Sequence, residues 1–149
     1  MSYQIVTDAT SDLTPALLAG LPPLAVVPMP VNIDGEPHSF GPGGDLEVDS
    51  FYGILRSGSF GSTSMINPAT YMEVFEPILQ QGMDLVYLGF SSGLSGTYNM
   101  VRLQAGQRDD LEIAVFDSRS GSLGIGIMVL QLWEEIVAGA SWETLVRER

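Results

Sequence analysis

The feature that constrains the fold most is a short apolar segment, residues 85–88, that runs into a turn rich in serine and glycine. The apolar segment has the length and the residue types of a buried parallel strand. After the turn, Leu94, Tyr98, Val101 and Ala105 recur at intervals of three and four residues, which is typical of one face of a helix. The pattern therefore predicts a strand, a turn and a helix, with the turn at the carboxyl edge of an α/β sheet.

The rest of the chain alternates between the same two patterns. Strands are predicted at residues 3–7, 24–33 and 112–116. Helices are predicted at residues 15–18, 48–55, 68–78 and 123–137, and a last segment from Ser141 to Arg149, with Thr14, Asn67 and Ser141 as caps. The helix at residues 123–137 is apolar around most of its girth and is expected to be largely buried. Pro77 predicts a kink or a restart of its helix near Glu76. Residues 35–46 are rich in glycine and proline and predict a loop. Strands that alternate with helices predict an α/β fold, with a mostly parallel sheet flanked by helices on both faces.

Composition limits the class of protein. The chain has 149 residues, which suits one domain with its own core. It carries 18 acidic and 6 basic residues, a net charge of −12, and every basic residue is arginine. This charge repels nucleic acid and anionic membrane surfaces, so neither is an expected partner. No cysteine, signal-peptide pattern or apolar run of bilayer length is present, which predicts a cytoplasmic protein without membrane insertion.

The turn at residues 90–98 predicts an anion site. The first amides of a helix lack intrahelical partners and lie at the positive end of the helix dipole. Four hydroxyl side chains and two glycines in the turn would add donors and allow close approach. A Gly-Lys-Ser/Thr phosphate loop is excluded because the chain has no lysine. Met65 and three other methionines are expected in the core or in the wall of an adaptable apolar pocket.

Three further polar clusters should lie at the same edge of the sheet, because parallel strands end there together. They are residues 7–12, Thr63 with Ser64, and Asp117 with Ser118. Each cluster taken alone is also what ordinary turns and helix caps require. Their convergence on one edge favours a hydroxyl-lined binding crevice.

Two kinds of catalytic site are weaker alternatives. Asp8, Asp12 and Asp117 would supply the hard oxygen ligands that magnesium prefers. All three also occupy expected helix N-cap positions, which favours capping over metal binding. A serine nucleophile needs a histidine as its base, and His38, the only histidine, lies in the glycine- and proline-rich segment. A catalytic triad is therefore not predicted.

These motifs, in this order, resemble the DegV family of bacterial fatty-acid-binding proteins. The matching residues are 7–13, Thr63 with Ser64, 91–98, and Asp117 with Ser118 before a glycine-rich helix start. The resemblance covers nearly the whole chain and implies a non-catalytic protein without a cofactor. It implies a long-chain fatty acid as the ligand, with the carboxylate held by hydroxyls and the tail buried. For some family members it also implies a separate kinase partner that phosphorylates the bound acid.

By position, the resemblance implies roles for individual residues. Thr63 and Ser95 would donate hydroxyl hydrogen bonds to the carboxylate. The amides of Gly96 and Thr97 would donate from the start of the helix. Ser64, Ser92 and Asp8 would not contact the carboxylate but would orient the residues that do. No residue is implied as a metal ligand or as a catalytic group.

Two features depart from the family pattern. Ala9 stands where the family motif Thr-Asp-Ser-Thr has serine. Family members also continue into a second domain that covers the lipid tail, whereas residues 1–149 resemble the first domain only. The resemblance therefore implies either a fragment or a half that pairs with itself, as a homo-oligomer, or with another chain.

The leading hypothesis is thus a fatty-acid carrier domain. One alternative is a metal- or phosphate-handling enzyme that uses Asp8 and Asp117 at the same sheet edge. The other is a half-domain that docks a partner and binds no ligand of its own.

Overall fold

The computed structural model describes residues 3–21, 23–107 and 113–147. These residues form seven strands in two sheets. The strands are β1 (Tyr3–Asp8), β2 (Ala25–Val27), β3 (Met29–Ile33), β4 (Glu36–Phe40), β5 (Gly61–Thr63), β6 (Asp84–Gly89) and β7 (Ile113–Asp117). The main sheet has the order β2-β1-β6-β7 with every pair parallel, and the second sheet has the antiparallel order β4-β3-β5. The predicted α/β fold with a mostly parallel sheet is confirmed.

Six α-helices lie within the described residues, and three of them begin at predicted caps. The helices are α1 (Pro15–Leu18), α2 (Val48–Arg56), α3 (Pro68–Leu79), α4 (Thr97–Ala105), α5 (Leu123–Val137) and α6 (Trp142–Arg147). The side chains of Thr14, Asn67 and Ser141 accept backbone amides of α1, α3 and α6. Each of these bonds satisfies an amide that has no partner within its own helix.

Helices cover both faces of the main sheet. Side chains of a strand alternate between the two faces, so Ile5 and Val6 of β1 lie in different cores. Val6 packs in the core that contains Phe75 of α3 and Val101 of α4. Ile5 packs in the core that contains Leu132 of α5. The predicted three-layer arrangement is therefore present.

The second sheet corrects two predictions. The strand predicted at residues 24–33 divides at Pro28 into β2, at the edge of the main sheet, and β3, in the second sheet. Residues 35–46 were expected to form a loop, but they include strand β4. Among the described strands, β4 pairs with β3 alone, and an edge strand tolerates Pro37 because it needs hydrogen bonds on one side only.

Two helix predictions were also wrong in part. Helix α3 continues through Pro77, so no restart occurs near Glu76. Pro77 cannot donate to the carbonyl of Glu73, so α3 lacks one internal hydrogen bond, but the remaining bonds of its last turn continue the helix to Leu79. Helix α5 has the predicted bounds but is not buried around its girth, because Ile127 is 58% exposed while Ile125 is fully buried.

Two details lie outside the described residues. They are Glu112, the predicted first residue of β7, and Arg149, where the last segment was expected to end.

Within the part of the chain that is described, no helix combines the length and the apolar character needed to cross a lipid bilayer.

Candidate functional site

The ends of β1, β6 and β7 are joined into one polar surface. The amide of Ser91, after β6, donates to the carbonyl of Ser120, after β7, at 3.0 Å. The amide of Ser122 donates to the carbonyl of Thr10, after β1, at 2.9 Å. Three of the four predicted polar clusters therefore meet at the carboxyl edge of the main sheet, as expected.

Asp8 is fully buried and is bonded to neutral donors. Its Oδ2 atom accepts from the hydroxyls of Tyr87 at 2.6 Å and Tyr71 at 3.4 Å, and its Oδ1 atom accepts from the backbone amide of Thr10 at 3.0 Å. Burial, and then the charge of Asp8, raise the pKa of both tyrosines well above the ordinary value. Both phenols therefore stay protonated at neutral pH and remain donors. Asp8 fixes the turn after β1 from within the core.

The turn before α4 is held by its own hydroxyls. Ser95 Oγ accepts the amide of Thr97 at 3.2 Å and donates to Thr97 Oγ1 at 3.0 Å. The Thr97 amide, implied as a ligand donor, is therefore already satisfied by Ser95. The Gly96 amide, in contrast, has no hydrogen-bond partner among the described residues. Ser95 also has to turn its hydroxyl away from Thr97 before it donates to a ligand.

Ser92 is bonded to Asp117. The Asp117 carboxylate accepts the Ser92 amide at 3.0 Å, the Ser92 hydroxyl at 2.5 Å and the Arg119 amide at 3.0 Å. Slight burial raises the pKa of Asp117, but the hydrogen bonds from Ser92 and Arg119 outweigh it, and the pKa lies below the ordinary 3.8. Ser92 thus ties the turn of α4 to the end of β7.

Backbone strain concentrates at the same edge. Asp12, Arg119 and Ser122 have φ angles of 53°, 49° and 54°, in the region that favours glycine. The Ser122 hydroxyl donates to Asp12 Oδ2 at 2.6 Å and so links two of these residues. Such conformations cost about 1–3 kcal/mol each and persist only where the surroundings fix them. The loops after β1 and β7 therefore form a rigid support for the turn of α4.

Thr63, in the second sheet, and Ser64, the residue after it, form the fourth polar cluster. Thr63 ends β5 opposite Val31 of β3, and both Thr63 and Ser64 are exposed. The side chain of the next residue, Met65, lies near the turn of α4, because a Cβ built at Gly96 would lie 3.4 Å from Met65 Sδ. The side chain that follows the fourth polar cluster therefore lies beside the start of α4, although the strand of that cluster does not belong to the main sheet.

Apolar side chains flank the hydroxyls at this position. Leu94, which directly precedes Ser95, is 71% exposed, and Met65 is 52% exposed. Met65 is thus not a core residue, which was one of its two expected places. Exposed apolar side chains next to neutral donors suit an amphipathic ligand with a polar head.

The side chains proposed for catalytic alternatives lie in separate hydrogen-bond networks. Asp8, Asp12 and Asp117 bond to Tyr87, Ser122 and Ser92, respectively. Within residues 3–21, 23–107 and 113–147, no group of three or more His, Cys, Asp or Glu side chains is placed to hold a metal ion. His38 Nδ1 lies 3.0 Å from Asp45 Oδ2 in the second-sheet region.

A cavity of about 510 Å³ lies elsewhere among the described residues. It is lined by residues that include Tyr3, at the start of β1, and Trp142, at the start of α6. Asp8 is at the other end of β1, five residues from Tyr3, or roughly 17 Å along an extended strand. This cavity is therefore not part of the polar surface around the start of α4.

Two supporting residues were missed by the sequence patterns. Tyr71 and Tyr87 were assigned only to a helix face and a buried strand, yet their hydroxyls hold Asp8. One signal was available, since a phenol inside the apolar segment 85–88 needs a buried hydrogen-bond partner. The partner itself could not be deduced, because Asp8 is 79 residues away in the sequence.

Comparison with known proteins places the chain in a family. The model of the family described as "Uncharacterised protein, DegV family" matches residues 2–148. The chain belongs to the DegV family. A DegV domain-containing protein of Caldanaerobacter subterraneus is 37% identical over 142 residues, which are 95% of this chain and 50% of that relative. A DegV domain-containing 15.5 kDa protein of Staphylococcus aureus is 32% identical over 133 residues, 89% of this chain and 92% of that relative.

Solved structures of DegV proteins have the same fold. A fatty-acid-binding DegV family protein from Thermus thermophilus superposes with a TM-score of 0.83 and 31% identity, over 99% of this chain and 52% of that one. DegV from Bacillus subtilis, a fatty acid binding protein, has a TM-score of 0.85 and 25% identity, over 99% and 52% of the two chains. The chain spans about half the length of these structures and of most curated relatives that it matches.

Proposed function

We propose that this DegV chain is a non-enzymatic carrier domain of a bacterial cytoplasm that binds a long-chain fatty acid. The hydroxyls of Thr63 and Ser95 and the amide of Gly96 donate hydrogen bonds to the carboxylate. The proximity of Met65 Sδ to Gly96 carries the proposal, because Met65 follows Thr63 by two residues and the Gly96 amide has no hydrogen-bond partner among the described residues. The fatty acids bound by the solved DegV structures support the choice of ligand.

Four further residues complete the proposed head-group site. Asp8 and Ser92 do not contact the ligand. Asp8 fixes the turn after β1 through its hydrogen bond with Tyr87, and Ser92 fixes the turn before α4 through its hydrogen bond with Asp117. Thr97 contributes through its bonds to Ser95. Ser64 follows Thr63 on the exposed side of the site.

The head group is held without a lysine, because the chain has none. Neutral hydroxyls and the amide at the positive end of the α4 dipole stabilise the carboxylate instead. Such donors bind a carboxylate more tightly than a neutral head of the same shape, because hydrogen bonds to a charged group are stronger. The site therefore selects for an acid over an alcohol.

Most of the affinity comes from the acyl tail. Burial of each methylene contributes roughly 0.8 kcal/mol, so even half of a long tail contributes several kcal/mol. Leu94 and Met65 start an apolar path next to the hydroxyls. Two exposed side chains cover only the first part of a long tail. We propose that a second protein surface covers the remainder, either a further domain like that of the double-length relatives or a second copy of this chain.

The bound acid is presented to a separate acyl kinase. In that reaction a carboxylate oxygen attacks the γ-phosphorus of ATP, the bond from that phosphorus to the bridging oxygen breaks, and acyl phosphate and ADP form. The kinase supplies this chemistry. The carrier's own residues hold the carboxylate at the rim of the domain, where Thr63 and Ser64 are exposed.

The test compares acid and alcohol binding in two double variants. Binding of palmitic acid and of 1-hexadecanol is measured by isothermal titration calorimetry for the wild type, Thr63→Ala/Ser95→Ala and the control Ser50→Ala/Ser62→Ala. Ser62 points to the opposite face of β5 from Thr63, and Ser50 is exposed on α2.

We expect the Thr63→Ala/Ser95→Ala variant to bind palmitic acid about 10- to 100-fold more weakly, with little change for hexadecanol. The control variant should match the wild type for both ligands. An equal loss for acid and alcohol, or no loss at all, would reject this head-group site. A wild type that binds neither ligand would favour a partner-docking half-domain instead.

A further inference from the structure

The sulfur atoms of this chain all belong to methionine. The sequence contains seven methionines and no cysteine. Cysteine is usually the more easily oxidised residue, because its thiolate is a strong nucleophile. An oxidant that reaches this protein therefore finds thioethers as its sulfur targets. The exposure of each methionine then decides where oxidation begins.

Met65 is the exposed member of this group. It is 52% exposed, whereas the five other methionines within the described residues are half-buried. Four of those five also pack against one of the two cores that flank the main sheet. The five are Met29, Met72, Met83, Met100 and Met128, and Met72 is the one without a core contact. A dissolved oxidant therefore reaches Met65 before it reaches the others.

The sulfur of Met65 lies beside the start of α4. Its Sδ atom is 3.4 Å from the position of a Cβ built on Gly96. A carbon–carbon bond adds about 1.5 Å, so Sδ is no more than roughly 5 Å from Gly96 Cα. Gly96 is exposed, and its amide has no hydrogen-bond partner among the described residues. An oxygen atom added to this sulfur would thus lie close to an unpaired donor.

Oxidation by a peroxide would turn this thioether into a strong hydrogen-bond acceptor. The sulfur lone pair attacks one oxygen of the peroxide, the O–O bond breaks, and the sulfur is oxidised by two electrons. With hydrogen peroxide, the second oxygen leaves as hydroxide and takes the proton of the transferred oxygen, which gives water. The other product, methionine sulfoxide, is polar, and reductases convert it back to methionine.

A sulfoxide at Met65 would oppose the binding of a fatty acid in two ways. Its oxygen carries a partial negative charge and would accept from the Gly96 amide, the donor proposed for the carboxylate, at the positive end of the α4 dipole. It would also place a polar group at the start of the apolar path, where contact with the acyl tail removes the water around it. Both effects lower the affinity without disturbing the core.

We propose that Met65 is a site of reversible oxidation, and that its sulfoxide closes the head-group site to fatty acids. The regulatory part of this inference rests on the proposed function, because the site that it closes is the proposed carboxylate site. The order in which the methionines are oxidised depends on their exposure alone.

The test follows oxidation and binding in the same samples of the 149-residue chain. The protein is treated with graded hydrogen peroxide, and peptide mass spectrometry gives the sulfoxide fraction of each methionine. The Kd for palmitic acid is measured before and after treatment. We expect Met65 to be oxidised before the five other described methionines, and the Kd to rise about tenfold or more as Met65 is converted. Methionine sulfoxide reductases for both sulfoxide epimers should restore the original Kd.

Three variants isolate the effect of this sulfur, each with its own untreated sample as the reference. Met65→Leu has a side chain of similar size that forms no sulfoxide, so its Kd should be the same before and after peroxide. Met65→Gln carries an amide oxygen near the position of the sulfoxide oxygen and should bind palmitic acid weakly without peroxide. Met72→Leu, on α3, is the matched control and should respond to peroxide as the wild type does.

The outcomes distinguish this inference from the proposed function. Oxidation of another described methionine before Met65, an unchanged Kd after Met65 is oxidised, or an equal rise of the Kd in treated Met65→Leu would overturn the role of Met65 alone. A wild type that binds no palmitic acid before treatment would overturn the proposed function, and the regulatory role with it.

Discussion

The hydroxyl of Tyr87 lies 2.6 Å from Oδ2 of Asp8, and both residues are completely buried. A buried carboxylate is costly unless it is hydrogen-bonded, and here the donors are neutral phenols and the turn amide of Thr10. Tyr71 donates to the same oxygen from a longer distance, 3.4 Å. This arrangement ties the turn after β1, and hence the support of the head-group site, to the stability of the core.

The first prediction compares the two tyrosines. Tyr87→Phe should lower the free energy of unfolding by about 1.5–3 kcal/mol, because it removes a short hydrogen bond to a buried carboxylate. Tyr71→Phe should cost less, because both variants lose the 2.9 Å hydrogen bond between the two phenols but Tyr71→Phe keeps the 2.6 Å bond from Tyr87 to Asp8. Urea denaturation followed by circular dichroism measures both values. A Tyr71→Phe variant that is less stable than Tyr87→Phe would contradict this account of Asp8.

The second prediction concerns Asp117. The hydrogen bonds from Ser92 and Arg119 keep the pKa of Asp117 below 3.8, so the ionised carboxylate stabilises the fold above that pH. This contribution is lost as the pH falls through the lowered pKa. Ser92→Ala should shift the pKa of Asp117 back toward 3.8, which carboxyl carbon NMR titration measures. A pKa that is identical in the variant and the wild type would show that the Ser92 hydroxyl is not bonded to Asp117 in solution.

The third prediction contrasts two helical glycines. Nothing lies within 4 Å of a Cβ built at Gly53 of α2, so Gly53→Ala should stabilise the protein by about 0.5–1 kcal/mol through helix propensity. A Cβ at Gly126 of α5 would lie 3.1 Å from Leu13 Cδ2 and 3.3 Å from the Ser11 carbonyl oxygen. Gly126→Ala should therefore destabilise the protein despite the same gain in propensity. Thermal melts of both variants provide the comparison, and two shifts of the same sign would argue against this packing of α5.

Local patterns were sufficient to predict the main sheet and its helices. The cap residues Thr14, Asn67 and Ser141 each mark a helix start, and their preference for that position depends on only a few neighbouring residues. The second sheet was not predicted, because its central strand β3 was merged with β2 across Pro28. Its pairing depends on contacts over longer separations, such as that of Val31 with Thr63.

In the candidate site, too, contacts between residues that are distant in the sequence could not be predicted. Convergence of three of the four polar clusters followed from the topology of the main sheet, whereas the partners of individual side chains did not. Ser92 bonds to Asp117 and Asp8 to Tyr87, over separations of 25 and 79 residues that no local pattern encodes. The proximity of Met65 to Gly96 likewise joins residues that are far apart in the sequence.

The most direct test of the head-group site is a titration followed by amide NMR. The ¹⁵N-labelled protein is titrated with palmitic acid and, separately, with methyl palmitate, which has the same tail and no carboxylate. We expect the amide of Gly96 to shift most with the acid and much less with the ester. Largest shifts at Tyr3 and Trp142, beside the 510 Å³ cavity, or equal shifts with both ligands, would contradict a carboxylate held at the start of α4.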